Sequence, residues 1–375
     1  MPVMQAAFKT VARNRGAAGI DKVSVSMFKQ NLDANLLALM KDLKDGSFQP
    51  KPLRRKFIPK NEKEFRPLGI PAVRDRVAQE TVRRILNPIF ESQFHESSYG
   101  FRQGRNCHQA LQAALSLHDQ GFHVVLDADI KGFFDNLPHE VIMAAVASQV
   151  ADGNFLRLIE KFLRSGVMEN GLFKPTTIGT PQGGVISPLL ANIVLNHLDW
   201  QLHNHGCRFV RYADDFVVLC QSTLDAEKAL TLVTHTLATL GLSISPEKTH
   251  ITTYTKGYAF LGFVLSKRSR RMRPKSVRKF KDKVRALTRR SMNLDASIFV
   301  KLNQVIRGTA QFFATQWFTA RESWHRLDSW IRMRLRCMKF KRLNYRDNSK
   351  LRINKFDRLG LLSLESFLPP KYIAI

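Results

Sequence analysis

Phe209-Val210-Arg211-Tyr212-Ala213-Asp214-Asp215-Phe216-Val217-Val218-Leu219 sets two adjacent carboxylates between two apolar runs. Both flanks are rich in β-branched and aromatic residues, so they predict two strands with the aspartates at the tight turn joining them. A turn at a strand end holds carboxylates rigidly and exposes them, as hard divalent cations with oxygen ligands require. Two Mg2+ ions held this way, or Mn2+ in their place, can stabilise both the attacking and the leaving oxygen of a phosphoryl transfer. Taken alone, Asp-Asp reads equally well as ordinary turn chemistry. A third carboxylate and a polyanionic substrate are needed to separate the two readings.

Composition supplies the polyanion. The chain has 375 residues, 44% of them hydrophobic and 10% aromatic, which is enough for two or three folded subdomains and excludes a disordered tail. Its formal net charge is +28 and its pI is near 10.4. Such an excess repels itself in the compact state, so a polyanionic partner is expected, nucleic acid first and an anionic membrane surface second. No apolar stretch approaches the length of a spanning helix, and no membrane partner is expected. Cys107, Cys207, Cys220 and Cys337 form no C-x-x-C pair, which excludes a zinc site or a disulfide framework and fits a reducing compartment. The N-terminus lacks the apolar core of a secretory signal, so a cytoplasmic protein is expected, with an organellar address as the weaker alternative.

Along the chain, short helices are expected over residues 1–41 around the turn Arg15–Asp21, then a basic extended run over residues 51–60. A helix over residues 73–94 would set Val77, Thr81, Ile85 and Ile89 on one face. Residues 124–130 read as a buried strand, 139–167 as helical, 170–178 as a hairpin and 188–203 as a helix. A helix near residues 224–240 and short strands at 243–244, 250–252 and 260–264 follow. Between Lys267 and Arg290 there are thirteen Lys and Arg against one acid, Asp282, which marks the expected domain boundary. Beyond it, Phe312, Phe313, Trp317, Phe318, Trp324 and Trp330 are expected to pack a helical core rather than to stack on bases.

The third carboxylate is Asp129, at the end of the strand in Asp127-Ala128-Asp129-Ile130-Lys131-Gly132-Phe133-Phe134-Asp135. Asp127 and Asp135 compete for the role, each with an alternative as a strand-end or helix-cap residue. Asp129, Asp214 and Asp215 would give three converging buried acids from separate strands.

Six ordered motifs now stand together: Ile58-Pro59-Lys60 with Arg66-Pro67-Leu68-Gly69-Ile70-Pro71; Ser98-Tyr99-Gly100-Phe101-Arg102; the Asp129–Asp135 segment; Gly179-Thr180-Pro181-Gln182-Gly183-Gly184-Val185-Ile186-Ser187-Pro188; Tyr212-Ala213-Asp214-Asp215; and Phe260-Leu261-Gly262. In this order and spacing the chain resembles the bacterial and organellar group II intron reverse transcriptases, or maturases, strongly over residues 10–265 and more loosely beyond. The resemblance implies an α+β, right-hand polymerase fold. Residues 1–115 would form the N-terminal extension and fingers, 116–265 the palm with its antiparallel sheet, and 266–375 a helical thumb and maturase X-like domain.

It also implies an RNA-directed DNA polymerase that adds dNTPs to a DNA or RNA primer 3′-OH. Its partners would be an RNA template and a structured RNA, intron or noncoding. Asp129, Asp214 and Asp215 match the catalytic, metal-binding aspartates, with Ile130 as a further metal-binding position. Lys60 and Arg66 match the residues that grip the incoming triphosphate. Phe134 matches the aromatic gate against a ribose 2′-OH. Gln182 matches the residue against the nascent base pair, and Gly183 keeps the backbone close to the template. Lys248 matches the lysine that protonates pyrophosphate, and Phe260, Leu261 and Gly262 match the primer grip. Trp324 to Arg336 is similar to the signature helix of the maturase domain, and Leu359 to Leu364 resembles that domain's ending.

The chain departs from the larger members in leaving no room after Ile375 for DNA-binding and H-N-H endonuclease domains, so cleavage of a DNA target is not expected. Two alternatives stay open. One is a domesticated reverse transcriptase of antiphage defence or repair; the other is a splicing maturase without polymerase activity.

Overall fold

A computed structural model describes residues 1–59, 64–180 and 183–369. Lys60 and Gln182 therefore lie outside the described residues. The chain forms two compact units, Met1–Ile251 and Thr252–Ile375. The charge shift at Lys267 lies inside the second unit, so the basic surface and the compact unit do not begin together.

The first unit carries two sheets. β1 (Leu53–Pro59) and β2 (Phe65–Ile70) form an antiparallel hairpin. β3 (Val124–Asp129) lies elsewhere, while β4 (Val167–Glu169) and β5 (Leu172–Lys174) join the hairpin in the order β2-β1-β4-β5. The second sheet adds β6 (Arg208–Tyr212), β7 (Asp215–Cys220) and β8 (His250–Thr253, which starts at the end of this unit and runs past it) to β3 in the order β6-β7-β3-β8. β3 and β7 run antiparallel in the register Val124↔Cys220 to Asp129↔Asp215, which brings the two acid-bearing strand ends side by side. Val217, Val218 and Leu219 are buried because helices cover this sheet, among them Ser187–Asn204 and Thr223–Thr239.

Helix boundaries follow local chemistry. Cys107–Asp119 starts with a full capping box between Asn106 and Gln109. The expected 139–167 helix is two, His139–Ala147 and Gly153–Leu163, because Asp152 caps the second by accepting from the backbone N–H groups of Asn154 and Phe155. Helix Val73–Glu91 buries Val77 and nearly all of Thr81 but leaves Ile85 and Ile89 exposed. Four-residue steps drift about 40° each on a 3.6-residue helix, so the buried stripe passes instead to Val82, Leu86 and Phe90.

The second unit begins with β9 (Tyr258–Phe260), β10 (Phe263–Leu265) and β11 (Arg270–Met272), an antiparallel sheet. Helices Pro274–Leu287, Ala296–Phe313 and Arg321–Phe340 follow. Phe263 packs its ring against Phe312, Phe313 and Trp317 at centroid distances of 5.8, 4.7 and 4.9 Å. Trp324 is fully buried and Phe318 nearly so, so most of these aromatics are core. Trp330 is the exception, half-buried with Lys281 and Arg285 over its face. Buried Asp328 accepts from Ser363 Oγ and the backbone N–H groups of Leu364 and Glu365, at 2.6, 2.9 and 3.2 Å, pinning the last segment to the signature helix.

Candidate active site

The Tyr212–Asp215 hairpin is tighter than the sequence reading drew it. Tyr212 pairs with Asp215, so the two-residue turn is Ala213-Asp214 and Asp215 already belongs to β7. Ala213 has φ +59°, at the turn position where a left-handed backbone favours glycine. It is held there from below. Arg211, with no exposed surface, bonds both carboxylate oxygens of the equally buried Asp199 and also donates to Asn192 Oδ1 and Ala213 O, each at 3.0 Å.

The Ser98–Arg102 motif finds its place here. Tyr99 N donates to Arg211 O at 2.8 Å and Arg211 N to Ser97 O at 2.9 Å, an isolated parallel bridge beside β6. Gly100 lies so close that a Cβ on it would overlap the Ala213 backbone. Asn192 Nδ2 also donates to Gly100 O at 2.8 Å, joining both loops to one helix.

Asp129 is clamped from the other side. Ser245 N donates to its carbonyl at 2.7 Å, its own N–H donates to Thr249 Oγ1 at 3.3 Å, and Ile130 bridges to Ile244. Lys248 Nζ bonds Asp129 Oδ2 at 2.8 Å, and this bond holds the Lys248 ammonium above its usual pKa. His250 Nε2 stands 3.8 Å from Asp127 Oδ2. Burial pushes the Asp127 carboxyl up to about 6 against the pull of His250.

One cavity of about 500 Å3 gathers Arg66, Asp129, Ile130, Phe134, Gly183, Asp214 and Lys248. The sequence treated the three acids as buried. In the structure Asp215 is exposed and Asp129 about 44% exposed; Asp214 is set deepest. The reason is topological, since Asp129 and Asp215 stand at strand ends, past the part of the sheet that the helices cover. Burial raises the Asp214 pKa, and the Asp129 carboxylate adds to the rise.

Among the described residues, no three His, Cys, Asp or Glu side chains are gathered as a ready metal site. The donor set nonetheless fits a hard cation. Asp129 and Asp214 line one cavity and repel one another, both offer oxygen donors, and an ammonium already sits on Asp129 where positive charge is wanted. Asp215 is level with Asp129 across the strands but does not line the cavity.

Phe133 is 2% exposed and Phe134 half-buried, and both line the cavity, Phe134 with the more open ring. Gly183 has φ +113°, and a Cβ there would overlap the Gly69 carbonyl. The close approach seen is thus to strand β2. Gly183→Ala is expected to part that contact and weaken nucleotide binding; steady-state KM for dNTP measures it, and an unchanged KM with unchanged stability would contradict the contact. Phe260, Leu261 and Gly262 lie in the second unit. Leu261 and Gly262 form a turn with φ +46° and +89° between β9 and β10, and Gly262 O accepts from Arg273 N and Ser276 Oγ.

With the geometry in place, two families match. Residues 58–265 match "Reverse transcriptase (RNA-dependent DNA polymerase)", and residues 277–355 match "Group II intron, maturase-specific domain". The chain belongs to the group II intron reverse transcriptases. Protein YkfC of Escherichia coli K12 is 35% identical over 292 residues, covering 67% of this chain and 77% of that protein. The group II intron-encoded protein LtrA of Lactococcus lactis subsp. cremoris is 30% identical over 371 residues, covering 80% of this chain but 60% of LtrA. The solved telomerase of Candida albicans, in complex with a fragment of telomeric RNA, aligns at TM-score 0.48 and 14% identity over 90% of this chain and 66% of that one. Reverse transcriptases as a family work with divalent metal ions, in keeping with the acids of the cavity.

The residues that sequence reasoning missed are the supports of this reverse transcriptase site, not its contact groups. Asn192 and Asp199 stand seven apart on helix Ser187–Asn204, hence on one face, and both are buried. Nothing local marks Arg211 as their partner.

Proposed function

We propose that this cavity extends a primer 3′-OH with dNTPs on an RNA template, and that the basic second unit binds a structured intron RNA. The observation that carries the reading is convergence: Arg66, Asp129, Phe134, Asp214 and Lys248, from separate stretches of chain, line one cavity. Asp129 and Asp214 would hold Mg2+, with Ile130 and Asp215 beside them. When bound, the ions supply charge to the attacking and leaving oxygens.

The chain's own groups do the rest. Arg66 neutralises the triphosphate, a role we extend to Lys60. Lys248, held protonated, carries a proton for the pyrophosphate leaving group, and the role beside the new base pair is kept for Gln182. Phe134 blocks the space of a ribose 2′-OH. No helix among the described residues is long and apolar enough to cross a membrane; the setting we propose is the bacterial cytoplasm.

The test is extension of a DNA primer on an RNA template by the purified protein with Mg2+ and dNTPs. DNA product is expected, and its absence would sink the polymerase reading. Phe134→Ala should raise ribonucleotide incorporation about tenfold or more relative to dNTP, by removing that steric block. Unchanged sugar selectivity, read by single-nucleotide incorporation of rNTP against dNTP, would take the gate away from this ring.

A further inference from the structure

Within the second unit, helix Arg321–Phe340, the loop after it and the start of helix Ile353–Arg358 enclose a cavity of about 880 Å3. Its lining includes Arg332, Arg336, Arg342 and Arg352 and, among the described residues, no carboxylate. Arg342 is answered by Asp347 at 3.0 Å, but the other three are not paired with an acid among the described residues. Arg336 is only 9% exposed. Its Nε donates to Leu351 O at 2.9 Å and its guanidinium lies 5.2 Å from the Phe356 ring centroid. Its terminal N–H groups have no acceptor among the described residues.

A guanidinium that opens on a cavity with only neutral partners lacks counter-charge there, and a bound anion would supply it. Burial, and then Arg332, lower its basicity, as expected of a cation short of counter-charge. Arg332 donates to Ser329 Oγ at 3.0 Å and Arg352 stands exposed at the rim. On the same rim Tyr345 is 79% exposed, a large ring for which the fold has no packing use. An exposed ring beside clustered arginines is the pairing that holds unstacked nucleotides, the phosphate on the guanidinium forks and the base on the ring. The volume suits one such unit.

We propose that this cavity captures a single unpaired ribonucleotide of an RNA chain, its phosphate on Arg332, Arg336 and Arg352 and its base on Tyr345. Asn348, also in the lining, offers its amide to the base edge. The inference rests on the reading of the chain as an RNA-binding enzyme, and names where and how the second unit grips a looped-out base.

The test is anisotropy titration of the full chain with a fluorescent single-stranded 12-mer RNA, with the same sequence as a blunt duplex, and with AMP as competitor. Tyr345 and Arg352 are exposed, so neither substitution threatens folding. Tyr345→Ala should weaken single-strand binding about tenfold and leave duplex binding within twofold. Arg352→Ala should lower the salt slope of single-strand binding by about 0.7. Equal loss on both RNAs, or no loss on either, would overturn the proposal. Displacement of RNA by micromolar AMP would make a free nucleotide the ligand and overturn the chain-bound assignment. Primer extension by the wild type, run alongside, separates the two failures. Product in that control with no Tyr345→Ala effect removes only the pocket; no product and no RNA binding remove the parent reading.

Discussion

Asp214→Ala is expected to abolish primer extension, a loss of about a thousandfold or more, while RNA affinity stays within twofold at fixed salt. Asp214 is the acid set deepest in the cavity, and the neighbouring Asp129 carboxylate works against its ionisation. The fold gains nothing from that charge. Because burial raises the Asp214 pKa in the folded state above 3.8, the ionised form is penalised there. The penalty is fully present above the folded pKa and vanishes below the unfolded value. Asp214→Asn should therefore be at least as stable as wild type at pH 8 without metal, and the difference should shrink as the pH falls toward 4. Thermal melts in EDTA across that range check it. A variant that loses RNA binding and extension together, or one less stable at pH 8, would contradict a charge kept for chemistry.

Arg211→Leu is expected to destabilise the first unit by about 3–5 kcal/mol, because it strands the fully buried Asp199 carboxylate. For a unit of this size that corresponds to a fall in Tm of roughly 10 °C. The same change releases Ala213 O and so the positive-φ turn that aims Asp214. Extension at low temperature, where the fold survives, should therefore drop too. Replacing both partners, Arg211→Met with Asp199→Leu, should recover much of the Tm but not the activity, since the carbonyl tie stays broken. A single-variant loss under 1 kcal/mol, or full activity in the double variant, would show that the network is not what sets the turn.

The contact groups of the site were legible because each is local chemistry with a signature. Asp214 sits in an Asp-Asp turn between apolar strands, Asp129 at an apolar strand end, and Phe134 a short helix away. Their supports were not legible, for a physical reason. Arg211–Asp199 joins a strand to a helix, and Gly183 against Gly69 joins a turn to a distant strand. Such pairs exist only once the chain has folded, and no periodicity encodes them. Burial misled in the same way. An apolar run predicts a buried strand, but the residue at its end lies past the sheet's helical cover, which is why Asp129 and Asp215 are open to solvent. The apolar stripe of helix Val73–Glu91 turned away from Ile85 and Ile89 for a reason the sequence did contain, the mismatch between a four-residue step and a 3.6-residue turn.

The central claim is that Asp129 and Asp214 form one metal-dependent polymerising site. Single-turnover addition of one dNTP on an RNA template, titrated with Mg2+ for wild type and Asp129→Asn, tests it most directly. The predicted result is product that saturates with Mg2+ for wild type and disappears in EDTA, with the variant's rate at least about a hundredfold lower at every Mg2+ concentration. Product of equal rate from both proteins, or product from wild type in EDTA, would contradict it.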